Sequence, residues 1–495
     1  MSAILLALDQ GTSSSRALLV DQNQQVLALA AKPLNSSFPN SGWVEQDPEE
    51  IWKSQWDSVL EVLQKAQINL GQVTGIGITN QRETLIAWDK KSGEALGPAI
   101  VWQCRRTADF CQSLKKQGLE PLYQTRTGLV LDPYFSGTKM AWMLENRPEV
   151  KAAAKQGDLA LGTVDSWLIW KLTKGQVHAT DASNASRTLL FNLHTLGWDP
   201  ELAAPLGVPL EALPKVVDSS GVLGKTHPDW GAEIPIAGVA GDQQASLFGQ
   251  ACFKAGEAKN TYGTGCFLLA NTGDKPVASK HGLLTTLAWS IGGKPTFALE
   301  GSVFMAGALV QWLRDQLGII ENAAQTETLA RELPNNGGVY LVPAFVGLGA
   351  PHWDPWARGL IIGLGRETDR RHLCRAALEA IAFQTAELVE AMGKDRGGPL
   401  SGLKIDGGAS QNGFLCQFQA DLLGIPVYRP KNLEATALGA ACLAGLALGV
   451  WRDLEHIAQS WQEAASFVPK QTKEALTPIW AGWNKALERS KGWAL

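Results

Sequence analysis

Thr79-Asn80-Gln81-Arg82-Glu83 follows directly on the apolar run Gly75-Ile76-Gly77-Ile78. An Arg–Glu pair at the C-terminal end of a strand sets a fixed donor fork beside a fixed acceptor, at the end where ligands of open α/β sheets bind. Such a pair suits vicinal hydroxyls, because the carboxylate accepts from an O–H while the guanidinium donates to the oxygens. A surface ion pair is the plainer reading of these two residues taken alone. Asp242, between Gly241 and Gln243 after Ile236-Ala237-Gly238-Val239-Ala240, is a second strand-end carboxylate. Flanking glycine leaves it accessible to take a hydroxyl proton as that oxygen attacks phosphorus, although Gly-Asp-Gln also serves as an ordinary turn. Asp9 stands likewise at the end of the first strand and suits a cation such as Mg²⁺ bound through water, as hard oxygen ligands do. Trp102 closes another apolar strand, and Tyr134 precedes Phe135-Ser136-Gly137-Thr138. An indole face and a phenol hydroxyl together suit a small polyol.

Phosphate chemistry points to two other places. Gly11-Thr12-Ser13-Ser14, with Arg16 close behind, and Gly263-Thr264-Gly265 are glycine–hydroxyl turns between apolar strands, and Thr12 and Thr264 lie 252 residues apart. Successive backbone N–H groups in such turns converge on an anion, and glycine permits its close approach. One turn of this kind is weak evidence; one in each half fits phosphates clamped between two related units. A third glycine turn, Asp406-Gly407-Gly408-Ala409-Ser410-Gln411-Asn412, joins a strand to a helix and has room for a heterocycle or ribose. Neither common nucleotide fingerprint is present: Gly224-Lys225-Thr226 lacks the earlier glycine of a P-loop, Ser219 standing there, and no Gly-x-Gly-x-x-Gly opens a helix.

The elements that must position these residues alternate strand and helix, the signature of a sheet with helices on its faces. Ile4 to Leu8 and Ala17 to Val20 read as a hairpin around a polar turn over residues 9–16. Asp47, Pro48 and Glu50 read as a capped helix start, with Ile51, Val59, Leu60 and Leu63 on its apolar face. A strand is expected over 73–78. The second half repeats the scheme, with helices over 304–317, 372–392 and 413–423, a strand over 338–343, and a strand with its glycine turn over 403–408. The apolar stretch 436–450 is short for a membrane span and rich in Ala and Gly, so it reads as a helix packed closely against a neighbour. At 495 residues more than one domain is expected, and the repeat places the boundary at 1–248 and 249–495. A formal charge of −4 argues against nucleic acid or anionic membrane as the main partner. Seven scattered cysteines without C-x-x-C spacing imply neither a disulfide frame nor a zinc site. With no basic n-region or cleavage site evident at the start, the reading is a cytoplasmic protein without membrane insertion.

These motifs are shared with a known family. The chain resembles the FGGY carbohydrate kinases, and within them the glycerol-phosphorylating members, from about residue 3 to about residue 451. The resemblance is carried by Ala7-Leu8-Asp9-Gln10-Gly11-Thr12, Gly42-Trp43-Val44-Glu45-Gln46-Asp47-Pro48, Ile78-Thr79-Asn80-Gln81-Arg82-Glu83-Thr84, Asp132-Pro133-Tyr134-Phe135-Ser136-Gly137-Thr138-Lys139, Gly241-Asp242-Gln243-Gln244, Thr261-Tyr262-Gly263-Thr264-Gly265-Cys266-Phe267 and Phe304-Met305-Ala306-Gly307. It implies two α/β domains of the actin and hexokinase type with the active site in the cleft between them. It implies that ATP, with Mg²⁺, phosphorylates glycerol to sn-glycerol 3-phosphate in glycerol uptake and catabolism. Carried over residue by residue, Arg82, Glu83, Tyr134, Asp242 and Gln243 would bond glycerol, with Trp102 and Phe267 against its carbons and Asp242 as general base. Thr12, Ser13, Ser14, Arg16, Thr264, Gly307, Gln311, Gly408 and Asn412 would contact the nucleotide. A homo-oligomer, dimer or tetramer, is also implied. Gly413 departs from the Asn or Asp frequent at that position. Members inhibited by fructose 1,6-bisphosphate carry a glycine-rich loop ending in Arg; the matching stretch, His227-Pro228-Asp229-Trp230-Gly231-Ala232-Glu233, has one glycine, no Arg, two carboxylates and His227 as its sole cation. Insensitivity to that effector is expected. A kinase for another small polyol or ketose, and a non-catalytic scaffold of the actin type, remain the alternatives.

Overall fold

The computed structural model describes residues 3–494. Its first half comprises β1 (Ile4–Gln10), β2 (Ser14–Asp21), β3 (Val26–Pro33), α1 (Pro48–Ala66), β4 (Gly75–Asn80), β5 (Ser220–Lys225), β6 (Pro235–Gly241) and α2 (Asp242–Gly249). The second comprises β7 (Ala258–Tyr262), β8 (Cys266–Gly273), β9 (Leu284–Ile291), β10 (Lys294–Val303), α3 (Gly307–Asp315), α4 (Arg370–Arg396), β11 (Leu403–Asp406), α5 (Gly413–Leu423), β12 (Val427–Pro430), α6 (Ala435–Ala447) and β13 (Glu463–Phe467). These thirteen strands form one mixed sheet in the order β13-β12-β11-β7-β8-β10-β9-β5-β6-β4-β1-β2-β3, and the remaining strands form smaller sheets.

The wiring repeats. In the first half β1 pairs antiparallel with β2 and parallel with β4, which pairs parallel with β6. In the second, β7 pairs antiparallel with β8 and parallel with β11, which pairs parallel with β12. The halves meet where Ser220 of β5 bridges Ile291 of β9. Strand periodicity assigns the two faces: Leu6 and Leu8 pack with Ile51, Val59 and Leu63 of α1, while Leu5 and Ala7 pack with α6 on the other side.

Register explains why the chemistry collects at one edge. Asp9 lies opposite Thr79, Gln10 opposite Asn80, and Gly241 opposite Asn80. The C-terminal ends of β1, β4 and β6 therefore coincide, and the residues just beyond them share one rim.

The Ala/Gly-rich segment forms α6, wedged between the sheet and α2. A Cβ on Gly77 of β4 would stand 2.1 Å from the Ala440 carbonyl oxygen, and one on Gly439 of α6 would stand 1.8 Å from that of Ala245. Small residues are required on both sides of this contact. No helix among the described residues is long and apolar enough to cross a membrane.

Several local expectations change. Asp47 caps α1 by accepting from the Glu49 N–H, but Glu50 turns away from the capping box and accepts from Asn35 instead. Leu60 is exposed, because α1 shows only one side to the sheet. The first turn shrinks to residues 11–13, as cross-strand bonding extends both strands. The strand expected over 73–78 is β4, shifted toward Asn80 by its pairing with β1. The strand expected over 338–343 is Tyr340–Val342, which pairs with Leu360–Ile362 outside the main sheet. The helix expected from 304 begins at Gly307, and the one expected over 372–392 extends across Arg370–Arg396.

Candidate active site

Arg82 and Glu83 leave β4 into the interior, both almost without exposure. Glu83 adopts φ 60°, a left-handed conformation costly for a residue with a side chain and characteristic of functional turns. Gly241 makes room for Arg82, since a Cβ there would stand 2.7 Å from the arginine stem. The terminal fork of Arg82 is already taken: Nη1 and Nη2 donate to the two carboxylate oxygens of Glu300 on β10, at 2.6 and 2.8 Å. Glu300 is thus what fixes the donor fork at this strand end. The guanidinium edge left toward the pocket makes only long contacts, Nη2 to the Tyr134 hydroxyl and Nε to Asp242 Oδ1, each at 3.3 Å.

Arg187, placed just after the helical turn Ala182–Ala185, completes a buried network. Its Nε donates to Glu83 Oε1 at 2.6 Å and its Nη2 to Glu300 Oε1 at 3.0 Å. Its charge also faces the Tyr134 and Phe135 rings, at 5.6 and 5.2 Å. Burial by itself raises the Glu300 carboxyl, but the Arg187 and Arg82 guanidiniums outweigh it and hold the group down to about 2. Glu83 shifts the other way: burial raises it, and Arg82 and Arg187 offset that only in part. Buried Lys139 donates to the Glu83 and Phe135 carbonyls at 3.4 and 3.3 Å, fastening the two loops together.

Sequence reasoning missed Arg187, Glu300 and Lys139. For Glu300 a signal was present, a lone carboxylate inside the apolar run Phe297-Ala298-Leu299, because a charge on a core strand demands a buried partner. Nothing local identifies that partner.

Asp242 is the first residue of α2, and its side chain keeps 28% of its surface exposed. It accepts from the Gln243 backbone N–H at 2.8 Å and from Gln243 Nε2 at 3.1 Å. Trp102 stacks edge-on to Tyr134 and Phe267, at 5.7 and 6.2 Å between ring centres, so the apolar wall draws on both halves. Its Nε1 donates to Thr12 Oγ1 at 2.9 Å, joining this wall to the first phosphate turn. The polyol residues expected from the sequence are thus brought together: Arg82, Glu83, Trp102, Tyr134, Asp242, Gln243 and Phe267 connect through these contacts.

Of the residues expected to contact the nucleotide, Thr264, Gly307, Gln311, Gly408 and Asn412 lie in the second half. Thr264 is exposed at the tip of the β7–β8 turn, and its carbonyl accepts from the Ala306 and Ala308 N–H groups at 2.9 and 3.1 Å. Gly307 donates to the Gly263 carbonyl at 2.9 Å, so its N–H is committed within the protein. Gln311 projects exposed from α3. Gly407 abuts Tyr262, which sets exposed Gly408 beside the Thr264 turn. The Asn412 amide is spent on capping α5 at the Leu415 N–H and on Thr326. Ser13 is exposed and Ser14 half-buried in the first turn. Arg16 reaches across to Glu434 at the start of α6, at 3.0 Å. Asp9 lies opposite Arg16; burial pushes its carboxyl up to about 7, Arg16 opposing and Asp242 and Glu434 adding to the rise. In the 227–233 loop the fold supplies a second cation, Lys174, but pairs it with Asp229. Trp230 packs on Trp52 and Trp56.

The N-terminal domain of the FGGY family of carbohydrate kinases matches residues 4–249, and its C-terminal domain matches residues 258–448. A glycerol kinase of Symbiobacterium thermophilum is 55% identical over 491 residues, 99% of each chain. One of Caldanaerobacter subterraneus subsp. tengcongensis is 54% identical over the full length of both. The crystal structure of Plasmodium falciparum glycerol kinase with ADP superposes with a TM-score of 0.92 at 36% identity, covering 99% of this chain and 98% of that one. A xylulose kinase from Lactobacillus acidophilus, at 24% identity and a TM-score of 0.88 over 99% of both chains, shares the fold. The chain belongs to the FGGY family of carbohydrate kinases.

Proposed function

We propose that this protein transfers the γ-phosphoryl group of ATP to a terminal hydroxyl of glycerol, giving sn-glycerol 3-phosphate and ADP, in glycerol uptake and catabolism. The observation that carries the reading is the pocket edge made by Arg82, Glu83, Tyr134 and Asp242 under the Trp102 and Phe267 rings. It offers several hydroxyl partners beside a narrow apolar wall, the chemistry of a three-carbon polyol. Full-length relatives named glycerol kinase support it.

Glycerol hydroxyls replace the two long contacts at Arg82 Nε and Nη2, and Glu83 accepts from one of them. Asp242 takes the proton of the terminal hydroxyl as that oxygen bonds to the γ-phosphorus and the bond to the β–γ bridging oxygen breaks, leaving ADP. Gln243 orients beside the base. Thr12, Ser13, Ser14, Arg16 and Thr264 receive the phosphates, and Gly307, Gln311, Gly408 and Asn412 border the nucleoside side. The donor set near Asp9, hard carboxylate oxygens with Asp242 close by, fits a hydrated Mg²⁺ held by Asp9 through water, which would neutralise phosphate charge when bound. The division of labour falls at residues 1–248 for glycerol and the first phosphate turn, and at 249–495 for the nucleotide. A cytoplasmic homo-oligomer, dimer or tetramer, completes the proposal.

Initial rates with glycerol, erythritol and xylulose under saturating ATP test it: glycerol is expected to give the highest kcat/KM, and a clear preference for either other substrate overturns the assignment. Fructose 1,6-bisphosphate is expected to leave the rate unchanged into the millimolar range, because Lys174 is neutralised by Asp229 and Trp230 is anchored on α1. A bisphosphate titration at fixed glycerol and ATP checks this, and saturable inhibition there defeats it.

A further inference from the structure

Lys259 is a buried cation to which the reaction above assigns no task. It lies on β7, completely enclosed, and its Nζ donates to Gln243 Oε1 at 2.6 Å and to Thr261 Oγ1 at 2.9 Å. An apolar side chain would fill the same space without the cost of burying an ammonium. A protonated Nζ donates and cannot accept, so the amide atom facing it must be the oxygen. The Gln243 NH₂ group is thereby turned to Asp242, where it meets Oδ2 at 3.1 Å while the backbone N–H of the same residue meets Oδ1 at 2.8 Å. Both carboxylate oxygens are thus gripped by one residue, and that residue is gripped by Lys259.

We propose that Lys259 is a positioning residue for phosphoryl transfer: by fixing the Gln243 amide it holds the Asp242 carboxylate in the orientation from which it takes the substrate proton. This rests on Asp242 acting as the base. The lysine is itself anchored from behind, since Thr261 Oγ1 lies 3.2 Å from Ser246 Oγ, which donates to Asp406 Oδ2 at the end of β11 at 2.8 Å. Burial pushes Lys259 down to about 8, with Asp406, Asp242 and Glu300 opposing and Arg82 adding to the fall, so the ammonium persists at neutral pH. Loss of the lock frees the amide to rotate and present its oxygen to the carboxylate.

The test is a double-mutant cycle on the full chain with Lys259→Met, Gln243→Leu and the combined variant. Lys259→Met is expected to lower kcat about ten- to a hundredfold, the scale of a misplaced catalytic group. Its KM for ATP should stay within about twofold, as the nucleotide contacts are untouched. In the Gln243→Leu background the lysine change should cost nothing more, because its effect passes through that amide. Wild-type kcat in Lys259→Met, or losses that multiply in the combined variant, overturns the proposal; the second result means a structural role only. Should Lys259→Met fail to fold, Lys259→Gln, shorter but still a donor, takes its place in the same cycle. The wild-type rate with glycerol judges the functional reading separately, and the variant ratios are read on whichever of glycerol, erythritol or xylulose the wild type prefers.

Discussion

Asp242→Asn is expected to lower kcat by about 10²–10⁴-fold, the usual contribution of a positioned general base, while glycerol binding stays measurable. Of Glu83, Asp242 and Glu300, Asp242 alone combines exposure to the pocket with freedom from a short ion pair. Glu300 is clamped by Arg82 and Arg187, and Glu83 is bonded to Arg187. The amide of asparagine preserves shape and one acceptor oxygen but accepts no proton at neutral pH. Steady-state kinetics with a glycerol-binding measurement separate the two effects. A variant with wild-type turnover would remove Asp242 from the role, and a variant that no longer binds glycerol would make it a binding residue first.

Glu300→Ala is expected to destabilise the fold by about 3–5 kcal/mol, the cost of stranding buried charge after one partner is removed. Two guanidiniums would then lose their shared carboxylate, leaving Arg187 on Glu83 at 2.6 Å and Arg82 with only the longer contacts to Asp242 and Glu83, at 3.3 and 3.9 Å. The pH dependence follows from the depressed carboxyl. A group held low in the folded chain stabilises it above its unfolded value and loses that contribution as pH falls through the folded one. The stability difference between wild type and variant is therefore expected to be full above about 4.5 and to shrink as pH falls toward about 2. Denaturant titrations at several pH values measure it. KM for glycerol should rise as well, since Arg82 loses the partner that aims it. An unchanged midpoint together with an unchanged KM would mean that the network neither supports the fold nor orients the site.

Much of the pocket was legible because its residues sit at places with local signatures. Arg82, Glu83 and Asp242 follow apolar strands, and the two glycine–hydroxyl turns sit between strands at matching points of the two halves. What failed were local patterns with a distant competitor. Glu50 has the capping-box spacing, yet Asn35 outbids the helix for its carboxylate. Arg82 offers a fork in sequence, but what fixes it is a strand 218 residues away.

Sequence by itself determined the alternation of strand and helix, the strand ends that carry the chemistry and the close-packing helix of Ala435–Ala447. Period-two apolarity, glycine and small-residue runs are short-range properties and need no partner to be read. Tertiary structure alone decided which charges are free to act. Arg187, Lys139 and Lys259 show no spacing that marks them, and Glu300 shows only a charge on an apolar strand without its partner, because the free energy of a buried charge depends on which opposite charge or dipole stands within a few ångströms. For Glu300 those neighbours, Arg82 and Arg187, stand 218 and 113 residues away in the chain, and only the tertiary fold brings them there.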